Sequence, residues 1–208
     1  MKIFKTPTLL RLLFAPIICK IKTNEKKIYL TFDDGPIPEI TPWVLNLLNE
    51  YNAKATFFCV GENVYKYPEI YRNILENGHV TGNHTYHHLK GWKTNTSEYF
   101  ENIEKAERLI NSPLFRPPHG QLKWQQFKRL QKEKKYTIIG WDVLTHDFDK
   151  TVNADIIAKK TKKYATKGSI IVFHDSLKAE KNLKKILPDI LKYFFEKGFA
   201  FESIPVTK

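Results

Sequence analysis

The chain has 208 residues, 42% of them hydrophobic and 13% aromatic, which suits one domain with a full core and leaves too little length for two. Its 34 Lys and Arg against 22 Asp and Glu give a net charge of +12, a statement about partners rather than fold. No run approaches the roughly 18 apolar residues of a spanning helix. The two cysteines, Cys19 and Cys59, make no disulfide framework, and no helix-turn-helix, zinc-finger or RNP-like pattern accompanies the charge, so no nucleic-acid partner is expected.

Met1 to Cys19 places Lys2, Lys5 and Arg11 before an apolar stretch ending at Ile18. Arg11 and Pro16 interrupt that stretch, and no small-x-small cleavage site follows it, which argues against a signal peptide. Residues 1–26 are read as a basic arm that can touch an anionic membrane or polymer, and a cytoplasmic or membrane-peripheral location is favoured over secretion. From residue 27 to 208 strand and helix signals alternate. Short apolar or β-branched runs between breakers predict strands at 28–32, 55–60, 79–82, 136–141, 169–173 and 199–204. Pro42 opens a helix continuing through Leu48, Phe100, Ile103, Ala106 and Ile110 repeat at helical spacing, and Leu183 to Phe195 carries an amphipathic stripe closed by Gly198. The Lys-rich stretches 123–135, 159–163 and 178–185 read as solvated helix faces, with attraction to an anionic polymer as the functional alternative. A repeated βα pattern of this length predicts parallel strands with helices outside, as an open sheet or a compact barrel, with chemistry at the carboxyl ends of the strands.

The polar residues that break the pattern fall just after strand candidates. Thr31-Phe32-Asp33-Asp34-Gly35-Pro36 sets two carboxylates where a strand gives way to a Gly-Pro breaker. It reads either as a simple turn or as a pair aiming one carboxylate at a metal and one at a substrate. Asn83 to His88 holds two histidines four apart, a spacing that lets two imidazoles converge on one ion; with Asp34 as third ligand a position stays open for water. Phe115-Arg116-Pro117-Pro118-His119-Gly120 is a rigid loop that could offer the backbone N–H near His119 to a developing oxyanion. Val172-Phe173-His174 ends an apolar strand in a histidine, either a satisfied core residue or a general acid.

With these four motifs in order, the chain resembles the NodB-homology polysaccharide deacetylases of carbohydrate esterase family 4, from about residue 27 onward. The resemblance implies an α/β fold, a deformed (β/α) barrel of about seven parallel strands with outer helices. It also implies a divalent metal, Zn²⁺ before Co²⁺ or other ions, held by Asp34, His84 and His88. Asp33 would be the general base, fixed by Arg116, and His174 the general acid. The backbone at His119 would serve the oxyanion, and Trp141, Phe148 and Val172 would wall a sugar ring. The implied activity is removal of N-acetyl groups from N-acetylglucosamine-type sugars of peptidoglycan or chitin-like glycans. Alternatives are deacylation of a lipid-linked amino sugar at the membrane, or a carbohydrate-binding pseudoenzyme. Three positions depart from the family pattern. His119 stands for a usual Tyr, Phe148 for a usual Trp, and Leu144 for the Asp that tunes the acid histidine, a role left to Asp142 or Asp147. No motif specifies the oligomeric state.

Overall fold

The computed structural model describes residues 2–7 and 16–206; Arg11 and the apolar residues 12–15 of the N-terminal arm lie outside them. Among the described residues eight strands, all parallel to their neighbours, form the frame: β1 (Lys27–Asp33), β2 (Ala55–Cys59), β3 (Val80–Asn83), β4 (Leu114–Phe115), β5 (Thr137–Ile138), β6 (Val143–Leu144), β7 (Ile170–His174) and β8 (Ala200–Phe201). Seven of them curl into a half-barrel in the order β5-β4-β3-β2-β1-β7-β6, and β8 pairs with the beginning of β1. The helices are α1 (Thr41–Glu50), α2 (Gly61–Lys66), α3 (Pro68–Glu76), α4 (Thr96–Glu107), α5 (Trp124–Lys132), α6 (Ala154–Tyr164) and α7 (Glu180–Glu196). Among the described residues no helix is long and apolar enough to cross a membrane.

The central strands are apolar along their whole length because parallel strands with helices outside are covered on both faces. Phe32 of β1 lies opposite Phe57 of β2 and Phe173 of β7 in the register, with ring centroids 5.0 and 5.6 Å away. All three rings are buried. The helices follow their local signals: Pro42 occupies the first turn of α1, and Asn95 caps α4 by accepting from the Glu98 N–H at 2.9 Å. The stripe of α7 buries Leu183, Ile186, Leu187, Ile190, Leu191 and Phe194.

The edges at β5 and β6 do not pair with each other; the N-terminal segment fills the seam. Ile18 N–H donates to Ile138 O and Gly140 N–H to Ile18 O, both at 2.9 Å. Further along, Ile21 N–H reaches Gly168 O, Thr6 N–H reaches Asp142 O, and Leu144 N–H reaches Phe4 O. Unpaired edge groups are thereby satisfied. Phe4 is buried, Lys2 pairs with Asp149, and Lys5 Nζ donates to Tyr164 O at 3.0 Å.

The parallel register also aligns the strand ends. Asp33 lies opposite His174, Cys59 opposite Asn83, and Asn83 opposite Phe115. Asp33, His84, Arg116 and His174 therefore each stand within one residue of a single rim. Phe32→Ala, which empties the middle of the stack, should lower unfolding free energy by about 3–5 kcal/mol. Urea denaturation measures this, and a loss below about 1 kcal/mol would show that the stack is not central to the core.

Candidate active site

The residues expected at the site meet in one cleft of about 460 Å³ at the carboxyl ends of the strands. Asp33, Asp34, His84, His88, His119, Trp141, Phe148, Val172 and His174 line it, together with Leu144. Arg116 lies beneath it, completely buried.

Asp33 is the last residue of β1 and Asp34 the first beyond it. Asp34 leaves the strand with φ of 84°, so the strand ends there and both carboxylates reach the cleft, one at the end of β1 and one in the turn beyond it. Asn63 Nδ2 holds this turn by donating to Asp34 O at 2.7 Å. On the other side, buried Asp175 accepts from Gly35 N–H at 3.1 Å and from Thr41 Oγ1 at 2.6 Å. A Cβ at Gly35 would sit 2.0 Å from Asp175 Oδ2, so glycine is needed for that approach. Burial pushes the Asp175 carboxyl up to about 8, against those two hydrogen bonds.

His84 and His88 sit on an irregular loop after β3, not on a helix. Thr85 and His88 take φ of 64° and 54°, the left-handed region that costs an ordinary residue roughly 1–2 kcal/mol. Two asparagines hold the loop in place. Asn83 Oδ1 accepts from Thr85 N–H at 2.8 Å, and Asn102 Oδ1 accepts from the N–H groups of Tyr86 and His87 at 2.9 Å. The His84 ring donates from Nδ1 to Arg116 O at 2.7 Å; a carbonyl can only accept, so this bond assigns the tautomer and leaves Nε2 free to ligate.

Asp34 Oδ1 is 3.1 Å from His88 Nε2 and 3.8 Å from His84 Nε2. All three potential ligand atoms lie within 4.8 Å of one another. Four-coordinate zinc with bonds of roughly 2.0–2.1 Å needs ligand atoms about 3.3 Å apart, so this oxygen and two nitrogens fit such an ion. The electrostatics suit it as well. Burial would raise the Asp34 carboxyl, but the His88 hydrogen bond and the nearby His174 and His84 hold it well below the usual range. Burial brings His84 down to about 4, so it is neutral near pH 7, as a ligand must be.

Arg116 anchors Asp33. Its Nη1 donates to Asp33 Oδ1 at 2.6 Å and to Thr31 Oγ1 at 2.7 Å, while Nη2 donates to Gly140 O at 2.9 Å. The guanidinium lies 4.1 Å from the Phe58 ring centroid.

His174 Nδ1 meets Asp147 Oδ1 at 2.7 Å, and its backbone N–H donates to Asp147 Oδ2 at 2.8 Å. Asp147 thus takes the place left open by Leu144. Asp142 turns away from the site and accepts from Ser169 Oγ at 2.6 Å. Burial alone would lower the His174 pKa; Asp147, with Asp34 and Asp33 further off, raises it to about 9. His119, in a turn at φ of 57°, sets its ring 4.7 Å from that of His88. Burial and the neighbouring His88 and Lys90 lower its pKa. Gly120 lets the wall form: a Cβ there would meet the Trp141 ring at 2.5 Å.

The sequence profile of the polysaccharide deacetylases matches residues 20–139, more than half of the chain. The chain belongs to this family. It is 39% identical over 193 residues to a peptidoglycan-N-acetylglucosamine deacetylase of Bacillus cereus, covering 88% of this chain and 68% of that protein. A second relative, the peptidoglycan-N-acetylglucosamine deacetylase PgdA of Listeria monocytogenes, is 36% identical over 196 residues; the match covers 91% of this chain and only 40% of that longer protein. Among solved structures, the Bc1960 peptidoglycan N-acetylglucosamine deacetylase superposes with a TM-score of 0.87 at 34% identity, covering 96% of this chain and 95% of that one. This polysaccharide deacetylase is accordingly a hydrolase, and its fold is the deformed (β/α) barrel expected from the motifs.

The sequence motifs assign no work to Asn83, Asp175, Asn63 or Asn102. Asn63, Asn102 and Asp175 act on backbone groups of a site loop from elements distant in sequence, so no local pattern marks them, whereas Asn83 closes a turn with the Thr85 N–H two residues on. Asp147→Asn should drop the His174 pKa from about 9 towards or below the ordinary histidine value of 6.5, because burial would then face weaker opposition. Histidine NMR titration of the metal-free protein measures it; an unmoved His174 would show that Asp147 does not control this ring.

Proposed function

We propose that the protein is a metal-dependent hydrolase that removes the N-acetyl group from N-acetylglucosamine-type sugars of a glycan, peptidoglycan or chitin-like. The observation carrying this reading is the convergence of Asp34, His84 and His88 on one point of the cleft, with a paired carboxylate and a paired imidazole at its sides. The relatives named as peptidoglycan deacetylases and as a chitooligosaccharide deacetylase support the substrate class.

Asp34, His84 and His88 would hold the ion, and the oxygen-plus-imidazole donor set favours Zn²⁺, with Co²⁺ as a substitute. A divalent metal bound there supplies Lewis acidity that polarises an amide carbonyl and brings the pKa of water down to about 7. Asp33, held in place by Arg116, takes the proton of the attacking water as its oxygen bonds to the acetyl carbon. The His119 backbone N–H donates to the carbonyl oxygen as negative charge builds on it. His174 enters protonated, which its Asp147 partner secures near neutral pH, and gives that proton to the sugar nitrogen as the C–N bond breaks. Acetate and a free amino sugar leave. Trp141, Phe148 and Val172 offer apolar surface to the sugar ring.

Metal-free protein should release acetate from N-acetylglucosamine oligomers only after Zn²⁺ or Co²⁺ is restored. Asp33→Asn should reduce turnover at least about 1,000-fold while retaining metal, and His84→Ala should lose the metal itself. Acetate assays beside metal analysis, with circular dichroism to confirm folding, separate the roles. Metal loss in Asp33→Asn would contradict the division of labour between the two aspartates.

A further inference from the structure

Beside the catalytic cleft lies a second cavity, of about 370 Å³, that the proposed chemistry does not use. It opens between the beginnings of α6 and α7, and Lys150, Lys178, Lys181 and Lys185 line it. The single carboxylate in the lining belongs to Asp155. Among the described residues none of these four ammonium groups takes part in an ion pair or hydrogen bond. Three further acids of this region are engaged with other lysines: Asp149 with Lys2, Glu180 with Lys184 and Asp189 with Lys162. The lysines of the stretch 178–185 are all exposed, as a solvated face requires, but they differ in their partners. Lys184 pairs along the helix, whereas Lys178, Lys181 and Lys185 turn towards one hollow.

Two connections tie this hollow to the site. Lys178 lines both the cavity and the catalytic cleft, and its Nζ stands 5.3 Å from the Phe148 ring centroid. Asn182, in the lining, donates to Asp147 O at 3.0 Å, behind the carboxylate that holds His174. A group seated in the cavity would thus be attached close to the sugar whose acetyl group is in the cleft.

We propose that this cavity is an anion subsite for carboxylates carried by the glycan beside the reacting sugar. The volume equals roughly a dozen water molecules at about 30 Å³ each, too roomy for one small anion and suited to an acidic peptide or sugar-acid substituent. Four separated ammonium groups, with no guanidinium fork among the lining residues, suit several spread carboxylates better than one bidentate partner. The proposal rests on the glycan reading above and narrows it: an acidic, peptide-bearing glycan is preferred over a neutral oligomer of the same sugars.

Calorimetric titration of the full chain with three soluble probes tests this: a peptidoglycan fragment with free carboxylates, the same fragment with its carboxylates amidated, and the fragment stripped of peptide but keeping its sugar-acid carboxylates. The free-carboxylate fragment should bind about 3- to 10-fold more tightly than the amidated one. That preference should vanish in the K181Q/K185Q variant and at 1 M salt, where the screening length is about 3 Å. It should survive in K192Q/K197Q, which removes equal charge from the other end of α7. The stripped fragment tells whether peptide or sugar-acid carboxylates are recognised. Equal or undetectable binding of the first two probes, a preference retained in K181Q/K185Q, or one equally lost in K192Q/K197Q would overturn the proposal. Acetate release from neutral N-acetylglucosamine oligomers, measured on the same protein, reports on the deacetylase reading separately.

Discussion

The arrangement of the site depends on one buried ion pair. Arg116 and Asp33 lie out of water at the strand ends, 2.6 Å apart, and breaking such a pair leaves an uncompensated charge at a cost of about 3–5 kcal/mol. Arg116 is therefore hydrogen-bonded all round, to Thr31 on β1 and to the carbonyls of Gly140 and, at 3.4 Å, Ile139. Its own carbonyl receives the His84 ring, so the residue that orients Asp33 also fixes a metal-ligand candidate. A lysine could not replace it, since one ammonium point charge cannot span these acceptors in one plane.

Around that pair the backbone is held in unfavourable conformations. Asp34, Thr85, His88 and His119 all have positive φ, and three of them are proposed site residues. Such residues persist only where the surroundings over-determine them. Here the surroundings are Asn63, Asn83 and Asn102, each hydrogen-bonded to a loop backbone group, on a barrel whose core of Phe32, Phe57 and Phe173 is buried. The rigid sheet thereby supports a strained rim on which the carboxylates and imidazoles lie close to one another.

Two histidines of the rim show how neighbours rather than residue type set the chemistry. Both lose solvation. His84 donates Nδ1 to a carbonyl and falls to about 4, ready to ligate as a neutral ring. His174 meets the Asp147 carboxylate and rises to about 9, ready to give a proton. The lysines of α6 and α7 show the same dependence on neighbours: Lys162 and Lys184 pair with Asp189 and Glu180, while Lys181 and Lys185 line the second cavity.

Much of this was legible in the chain. The continuous apolar runs of β1, β2 and β7 announced buried parallel strands, and the motif residues at their ends named the site, because parallel register carries every strand end to the same rim. The two-residue strands β4 and β6 were not legible, since Leu114-Phe115 and Val143-Leu144 stand among polar residues and prolines and not in a longer apolar run such as those that marked β5 and β8. Nor was the partner of His174. Leu144 occupies the place where an acid is expected, and only the path of the following loop brings Asp147, 27 residues from His174 in sequence, within 2.7 Å of it. Local pattern thus determined which side chains could do the chemistry and which end of the barrel would hold them. The folded chain decided which oxygen meets which nitrogen, because burial and hydrogen-bond geometry depend on residues far apart in sequence.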